Sequence, residues 1–375
     1  MRLKTVSSVT FALTCLFGAS SALPADPTLD VRAAPQAGLP QDVPDTKTAF
    51  DEVSDPIPFD KQKLFSTEPP RPIGQALRQR LTFGANLAAT VYCARVQNQR
   101  EFNCGAPCEQ SDPDGQVLFV QGDGYSDPHQ SVNWLPNEKA VSVVVQGANL
   151  EDLRGIFNVL AFVPLPPANP IRNTLYTFGS NATNPIASII SILQNDISTV
   201  HGGFLATWAR SYDKTLAATK TALGAHPEAI KIIIAGHSLG SAIGLLTLLA
   251  FLSDIGTDLP YEYLGYGSPR VFSPLGADLV DNVVSNPSAG TTYHHVHHNN
   301  DPVPHLGPIA LNFLHAQNEV FLPDTDSPTA LFCPGVENIN CSLGRTNFTV
   351  NDHAGPYFGR IIGRDGVDCA GGGGV

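Results

Sequence analysis

The 375-residue chain predicts an α/β fold, a mainly parallel central sheet with helices on both faces, and three observations carry that expectation. Strand-like runs recur at residues 117–121, 141–145, 230–235, 263–266, 291–298 and 319–322, most of them apolar. Stretches of helical length lie between most of them, and alternation of this kind packs helices against both faces of a parallel sheet. The third observation is the junction beginning at Ile230, where Ile-Lys-Ile-Ile-Ile-Ala runs into Gly-His-Ser-Leu-Gly-Ser-Ala and then into an apolar stretch reaching Leu252.

Taken in order, residues 1–22 carry Arg2 and Lys4, an apolar core from Val9 to Gly18 and the small residues Ser20-Ser21-Ala22, the pattern of a cleaved secretory signal. Residues 23–72 are rich in Pro, Asp and Ala without periodicity, as expected of a pro-segment or flexible extension. One domain is expected over residues 73–375, opening with a helix near residues 73–92. No internal repeat is evident, and no later stretch has the roughly 18 apolar residues of a membrane span. Export suits the six cysteines outside the signal, Cys93, Cys104, Cys108, Cys333, Cys341 and Cys369. An even count in an oxidising compartment reads as three bridges, with 15 possible connectivities.

The junction at Gly236-His237-Ser238-Leu239-Gly240 is the strand, nucleophile elbow and helix expected of an α/β-hydrolase. Ser238 is expected on a strained turn with its hydroxyl exposed, and small flanking residues let neighbouring backbone pass close. The helix that follows aims N–H groups at the point where a tetrahedral intermediate carries negative charge. An activated serine needs a base and an orienting carboxylate, in the chain order Ser, Asp, His. Asp301, at a strand-to-loop exit, and His353, in a later loop, satisfy that order. Order alone leaves the base open, because the chain has 11 histidines.

Four segments together are more specific. Ala235-Gly236-His237-Ser238-Leu239-Gly240-Ser241-Ala242, Gly265-Tyr266-Gly267-Ser268-Pro269-Arg270-Val271, Asp301-Pro302-Val303-Pro304-His305-Leu306 and Asp352-His353-Ala354-Gly355-Pro356-Tyr357-Phe358 resemble four successive signatures of the class 3 fungal lipases. That family includes the Rhizomucor and Thermomyces type triacylglycerol lipases, and the resemblance runs from about Leu77 to Cys369. It implies a catalytic triad of Ser238, Asp301 and His353. It also implies the bridges Cys93–Cys369, Cys104–Cys108 and Cys333–Cys341. Ser241 stands where the family usually has a second glycine, a position at a helix start where serine is well tolerated. Gln146-Gly147-Ala148 sits where the family has a Ser or Thr after the glycine, so backbone N–H groups of Leu239 and Ala148 are expected to form the oxyanion hole without a side-chain hydroxyl. Deleting a donor at such a site costs on the order of 3 kcal/mol, so activity is expected and its rate is left open by the missing hydroxyl.

After the oxyanion turn, Leu150, Leu153, Phe157 and Leu160 follow helical spacing, where the resembling family carries its lid. An apolar underside fits a site for acyl chains that opens at a lipid surface. An ordinary core-facing amphipathic helix has the same spacing. Pro164 to Pro170 and the apolar run from Ile186 to Leu193 form a long insertion that shapes or narrows the acyl groove. The expected function is a secreted serine lipase acting on triacylglycerol at an oil–water interface, with no cofactor and no stable protein partner. A carboxylesterase or feruloyl esterase on the same fold is the alternative, for which a polar, non-closing lid is expected. A non-catalytic binding protein on a hydrolase scaffold is the rival from another class.

The net charge of −12 becomes −14 once Arg2 and Lys4 leave with the signal, 20 basic residues against 34 acidic. That excludes nucleic acid and anionic membranes as expected partners. Asn181 and Asn347 head glycosylation sequons, and Asn340 heads a third that contains Cys341. In the run His294-His295-Val296-His297-His298, strand alternation puts His295 and His297 on one side and the others on the opposite side. These are expected to be packed or solvated imidazoles, with no metal. The glycines at 371–374 are too short and terminal a stretch to cradle phosphate, and a frayed end is expected there.

Overall fold

The computed structural model describes residues 65–148, 164–174, 199–326, 328–363 and 368–373. The signal, most of the pro-segment, the lid residues Leu150, Leu153, Phe157 and Leu160, the run from Ile186 to Leu193 and Asn181 lie outside them.

The described elements begin with β1 (Arg71–Pro72), α1 (Gln75–Thr90), α2 (Ala106–Ser111), β2 (Gln116–Gln121), β3 (Gln130–Leu135) and β4 (Ala140–Val145). Next come β5 (Pro164–Leu165), α3 (Asn169–Thr174), β6 (Val200–His201), α4 (Gly202–Ala225), β7 (Lys231–His237) and α5 (Leu239–Asp254). The remainder is β8 (Tyr261–Tyr266), α6 (Pro274–Ser285), β9 (Thr291–His298), β10 (Glu319–Leu322) and β11 (Leu331–Cys333). Nine strands form one sheet in the order β1-β11-β10-β9-β8-β7-β4-β3-β2. Strands β4, β7, β8, β9 and β10 are parallel, while β2, β3, β11 and β1 join antiparallel at the two edges. The sheet is therefore parallel at its centre and mixed as a whole.

Side-chain alternation along the central strands explains why helices cover both faces. On β7, Ile232 and Ile234 pack with α4, α5 and α6, while Ile233 and Ala235 turn the other way into a core built on α1. Helix α5 is buried along most of its length because it lies against the parallel centre. Its apolar residues run all round, as expected of a helix enclosed on every side.

Three bridges staple the described chain: Cys93–Cys369, Cys104–Cys108 and Cys333–Cys341. They are the pairings that the resemblance implies. Cys93–Cys369 spans 276 residues and ties the turn after α1 to the chain end. The glycine-rich end is less frayed than expected, since Cys93 bridges to Gly373 and Ala94 N–H donates to Gly372 O at 3.3 Å.

Candidate active site

Strand β7 ends at His237 and α5 begins at Leu239, so Ser238 alone turns the chain. Its φ of 58° and ψ of −130° are strained for a residue with a side chain. The turn holds because three backbones close on it. A Cβ on Gly236 would lie 2.4 Å from Gly240 O, and one on Gly240 would lie 2.2 Å from Val145 O. Ser238 N–H donates to Tyr266 O at 2.8 Å, and the Ser241 hydroxyl donates to Ser238 O at 2.6 Å. The serine that replaces the usual glycine thus hydrogen-bonds the elbow directly.

Asp301 and His353 come together from the exit of β9 and the loop at Val350–Ala354. His353 Nδ1 is 2.9 Å from Asp301 Oδ2, both side chains being about 1 % exposed. Asp301 Oδ1 accepts the Val303 N–H at 2.8 Å, and the Tyr357 hydroxyl lies 3.4 Å from Oδ2 and 3.2 Å from His353 O. Burial, and after it the Asp301 charge, pushes the Tyr357 phenol well above its usual range, so it stays a proton donor. Asp352 secures the loop by accepting from Asn299 Nδ2 at 3.1 Å and Asn300 N–H at 3.2 Å. His298 adds a ring nitrogen 2.8 Å from Asp352 O.

With Nδ1 facing a carboxylate, the His353 proton sits there and Nε2 is left as a base. Among the described residues, neither His353 Nε2 nor Ser238 Oγ, both buried, has a hydrogen-bond partner. The serine-to-histidine hydrogen bond through which a proton would pass is therefore not made in this arrangement. The hydroxyl was expected on an open turn, and here Ser238 is 1 % exposed. Close neighbours explain the burial: a Cβ on Gly147 would lie 2.6 Å from Ser238 Cβ and 2.8 Å from the Tyr92 hydroxyl.

The same contact places Gly147-Ala148 beside the nucleophile, and the Leu239 N–H opens a helix where the first amides lack intrahelical acceptors. A chain of hydrogen bonds links this turn to the base. Gly147 N–H donates to the Tyr92 hydroxyl at 2.7 Å, which is 2.9 Å from His237 Nδ1, and His237 Nε2 is 2.8 Å from His353 O. A carbonyl only accepts, so Nε2 carries the His237 proton and Tyr92 donates to Nδ1. Burial, and then the neighbouring His353, holds His237 well below the ordinary imidazole range. His237 is thus a neutral spacer, stacked on the His353 ring at 4.5 Å.

Sequence reasoning missed Tyr92, Tyr357 as a partner of Asp301, His298 and the buried Arg270–Glu337 pair at 2.7 Å. Tyr357 and Arg270 stand inside the recognised segments, which was a usable signal. Tyr92 follows a helix far from any motif. Asn347 is exposed; Asn340 is too, but its amide donates to Thr67 O at 3.0 Å.

Residues 169–311 match the family described as Lipase (class 3). The chain is 25% identical over 290 residues to a secreted mono- and diacylglycerol lipase of Malassezia globosa, covering 77% of this chain and 83% of that protein. The fold superposes on a Rhizomucor miehei triacylglyceride lipase with a TM-score of 0.62 and 25% identity, covering 79% of this chain and 99% of the other. A Rhizomucor miehei lipase propeptide complex is matched at the same identity and TM-score, over 85% of this chain and 94% of that one.

Proposed function

Because this chain belongs to the class 3 fungal lipase family and is a lipase, we propose that it is a secreted serine enzyme hydrolysing acylglycerols, triacylglycerols first, through an acyl-enzyme. The carrying observation is the buried His353–Asp301 contact at 2.9 Å, with His353 stacked on the His237 ring, the residue before Ser238, at 4.5 Å. Ser238 attacks the ester carbonyl while His353 Nε2 takes its proton and returns it to the leaving glycerol oxygen. Asp301 keeps His353 in the reactive tautomer and offsets the imidazolium. The Leu239 and Ala148 N–H groups receive the oxyanion. Water, activated by the same histidine, then frees the fatty acid.

Three disulfides support an oxidising, extracellular destination, with residues 1–22 as the signal. We assign residues 23–72 to a pro-segment and residues 73–375 to the catalytic domain; that a Rhizomucor lipase was solved with its propeptide supports the first. Residues 150–160 are proposed as a lid whose leucines and phenylalanine cover the site in water and meet lipid when open. Burial of each such side chain is worth about 1.5 to 3 kcal/mol, so two opposed burials leave a balance that an interface tips. The test compares emulsified triolein, diolein and monoolein with a dissolved butyrate ester, for wild type and for Leu153→Ser with Phe157→Ser. A larger loss on the emulsions is expected. Equal losses point to an esterase, and no turnover on any ester, with no labelling of Ser238 by an organophosphonate, points to a binding protein.

A further inference from the structure

Glu337 lies within the short loop closed by Cys333–Cys341, and its side chain is 2 % exposed. Its φ of 46° is left-handed, a region in which a glutamate is strained. Hydrogen bonds on either side hold it there: Ser66 N–H donates to Val336 O and Ile339 N–H donates to Ser66 O, both at 3.0 Å. A strained backbone and a buried carboxylate thus coincide at one residue, and the partners of the carboxylate explain why.

Glu337 Oε1 accepts from Arg270 Nε at 2.7 Å, and Oε2 accepts from Arg270 Nη2 at 2.8 Å. The third guanidinium nitrogen, Nη1, donates to His305 O at 3.0 Å, and the Arg270 backbone N–H donates to Leu306 O at 3.0 Å. His305 and Leu306 close the turn that opens at Asp301, whose Oδ1 accepts the Val303 N–H. Arg270 therefore grips the Asp301 turn twice, and Glu337 fixes where Arg270 stands. Glu337 Oε1 also accepts the His315 backbone N–H at 2.9 Å and faces His315 Nδ1 at 3.1 Å. The other ring nitrogen, Nε2, is 3.0 Å from Ser268 O. Both partners only accept, so the ring donates from each nitrogen and ties Glu337 to the residue after Gly267. Gly267 is the floor under the base: a Cβ there would lie 2.9 Å from His353 Cε1 and Nδ1.

We propose that Glu337 is a positioning residue for ester hydrolysis: through Arg270 and His315 its carboxylate sets the Asp301 turn against the Gly267 backbone on which His353 rests. This rests on Asp301 and His353 serving Ser238 as proposed above. A buried ion pair is weak evidence for stability once its desolvation is counted, so stability alone does not account for a carboxylate carried into the core at a strained residue. Against burial, which pushes it up, Arg270 and then His315 hold the Glu337 carboxyl well below its usual range, so it keeps its charge there. What the network supplies is geometry, and a misplacement of about 1 Å at reacting groups costs on the order of 100-fold in rate.

The experiment uses full-length protein carrying Glu337→Gln alone or together with Arg270→Met, and reads Tm, kcat and KM on a dissolved butyrate ester well below every Tm. Glu337→Gln is expected to lower Tm, because it leaves the Arg270 charge buried, and to lower kcat about 10-fold or more with KM within about twofold. Removing the Arg270 charge as well is expected to recover most of the Tm while kcat stays low. A kcat that returns with Tm, or one within about twofold of wild type in Glu337→Gln, overturns the inference, since the network then holds only the fold. Should these variants not fold, His315→Gln decides, because it leaves the Arg270–Glu337 pair in place: kcat lower by about threefold or more at unchanged KM supports positioning, and wild-type kcat overturns it. His353→Ala is run alongside. Turnover in that variant sinks the triad, whereas an inactive His353→Ala with unchanged kcat in the Glu337 variants sinks this inference alone.

Discussion

Tyr92→Phe removes one oxygen and isolates two buried groups. In wild type that oxygen accepts from Gly147 N–H at 2.7 Å and donates to His237 Nδ1 at 2.9 Å. Each of the two groups left unpaired costs roughly 1–3 kcal/mol, so the variant is expected to lose about 2–6 kcal/mol of stability. For a domain of this size that is a fall in Tm of about 5–10 °C. Catalysis is expected to suffer separately under the proposed mechanism, because Gly147 precedes Ala148, the proposed oxyanion donor, and His237 holds the carbonyl of His353, the proposed base. A loosening worth about 1.4 to 2.7 kcal/mol in the transition state lowers kcat about 10- to 100-fold with KM little changed. Calorimetry and steady-state hydrolysis of a dissolved butyrate ester measure the two effects. A Tm within about 1 °C of wild type together with a kcat within about twofold would refute the hydrogen-bond chain, since neither group can then depend on Tyr92.

Ser238→Ala is expected to abolish ester turnover while leaving Tm unchanged or raised, since it deletes a hydroxyl that has no partner in the structure; near wild-type turnover would sink the triad. His353→Ala should match that loss, as the two act as one unit, and Asp301→Asn should cost less than either, which kcat/KM on one soluble ester resolves. If His305→Ala is inactive while His353→Ala turns over, the base is misassigned. The Asp281 carboxyl is pushed up to about 7 by burial, against Gln317 N–H, which donates to it at 2.7 Å. A carboxyl pKa raised by folding contributes stability that is present below about pH 4 and lost as pH rises through about 7. Asp281→Asn is therefore expected to gain a few kcal/mol over wild type at pH 8 and little at pH 4, read from urea unfolding at both pH values; the reverse order would contradict it.

Strands β4 and β7 were legible because a strand buried on both faces is written as a nearly unbroken apolar run, and β2, β8, β9 and β10 because their β-branched, aromatic and apolar residues form runs of strand length. Strand β3, Gln-Ser-Val-Asn-Trp-Leu, between β4 and β2, was not, because Gln130 and Asn133 are buried polar residues paired by side-chain hydrogen bonds that no local pattern announces. Strands β1 and β11 are too short to show periodicity, and they pair residues far apart in the chain. The antiparallel strands β1, β3 and β11 are thus additions to the parallel centre expected from the sequence. At the site, Ser238, Asp301 and His353 are marked by local chemistry: an elbow, a strand exit and a loop with its own signature. Tyr92 carries no such mark, since its role arises only when α1 docks behind Gly147.

The bridge from Cys93 to Cys369 sits one residue from Tyr92, and it closes only after nearly the whole chain exists. During synthesis the N-terminal helix and its tyrosine leave the ribosome early, whereas Asp301, His353, Gly363 and Cys369 leave last. Gly363 packs against His237 so closely that a Cβ there would lie 2.8 Å from the ring, so the seat of that histidine is finished by the final residues to emerge. A chain that stops short of Gly363 therefore lacks the wall behind His237, and with it the support for the carbonyl of His353.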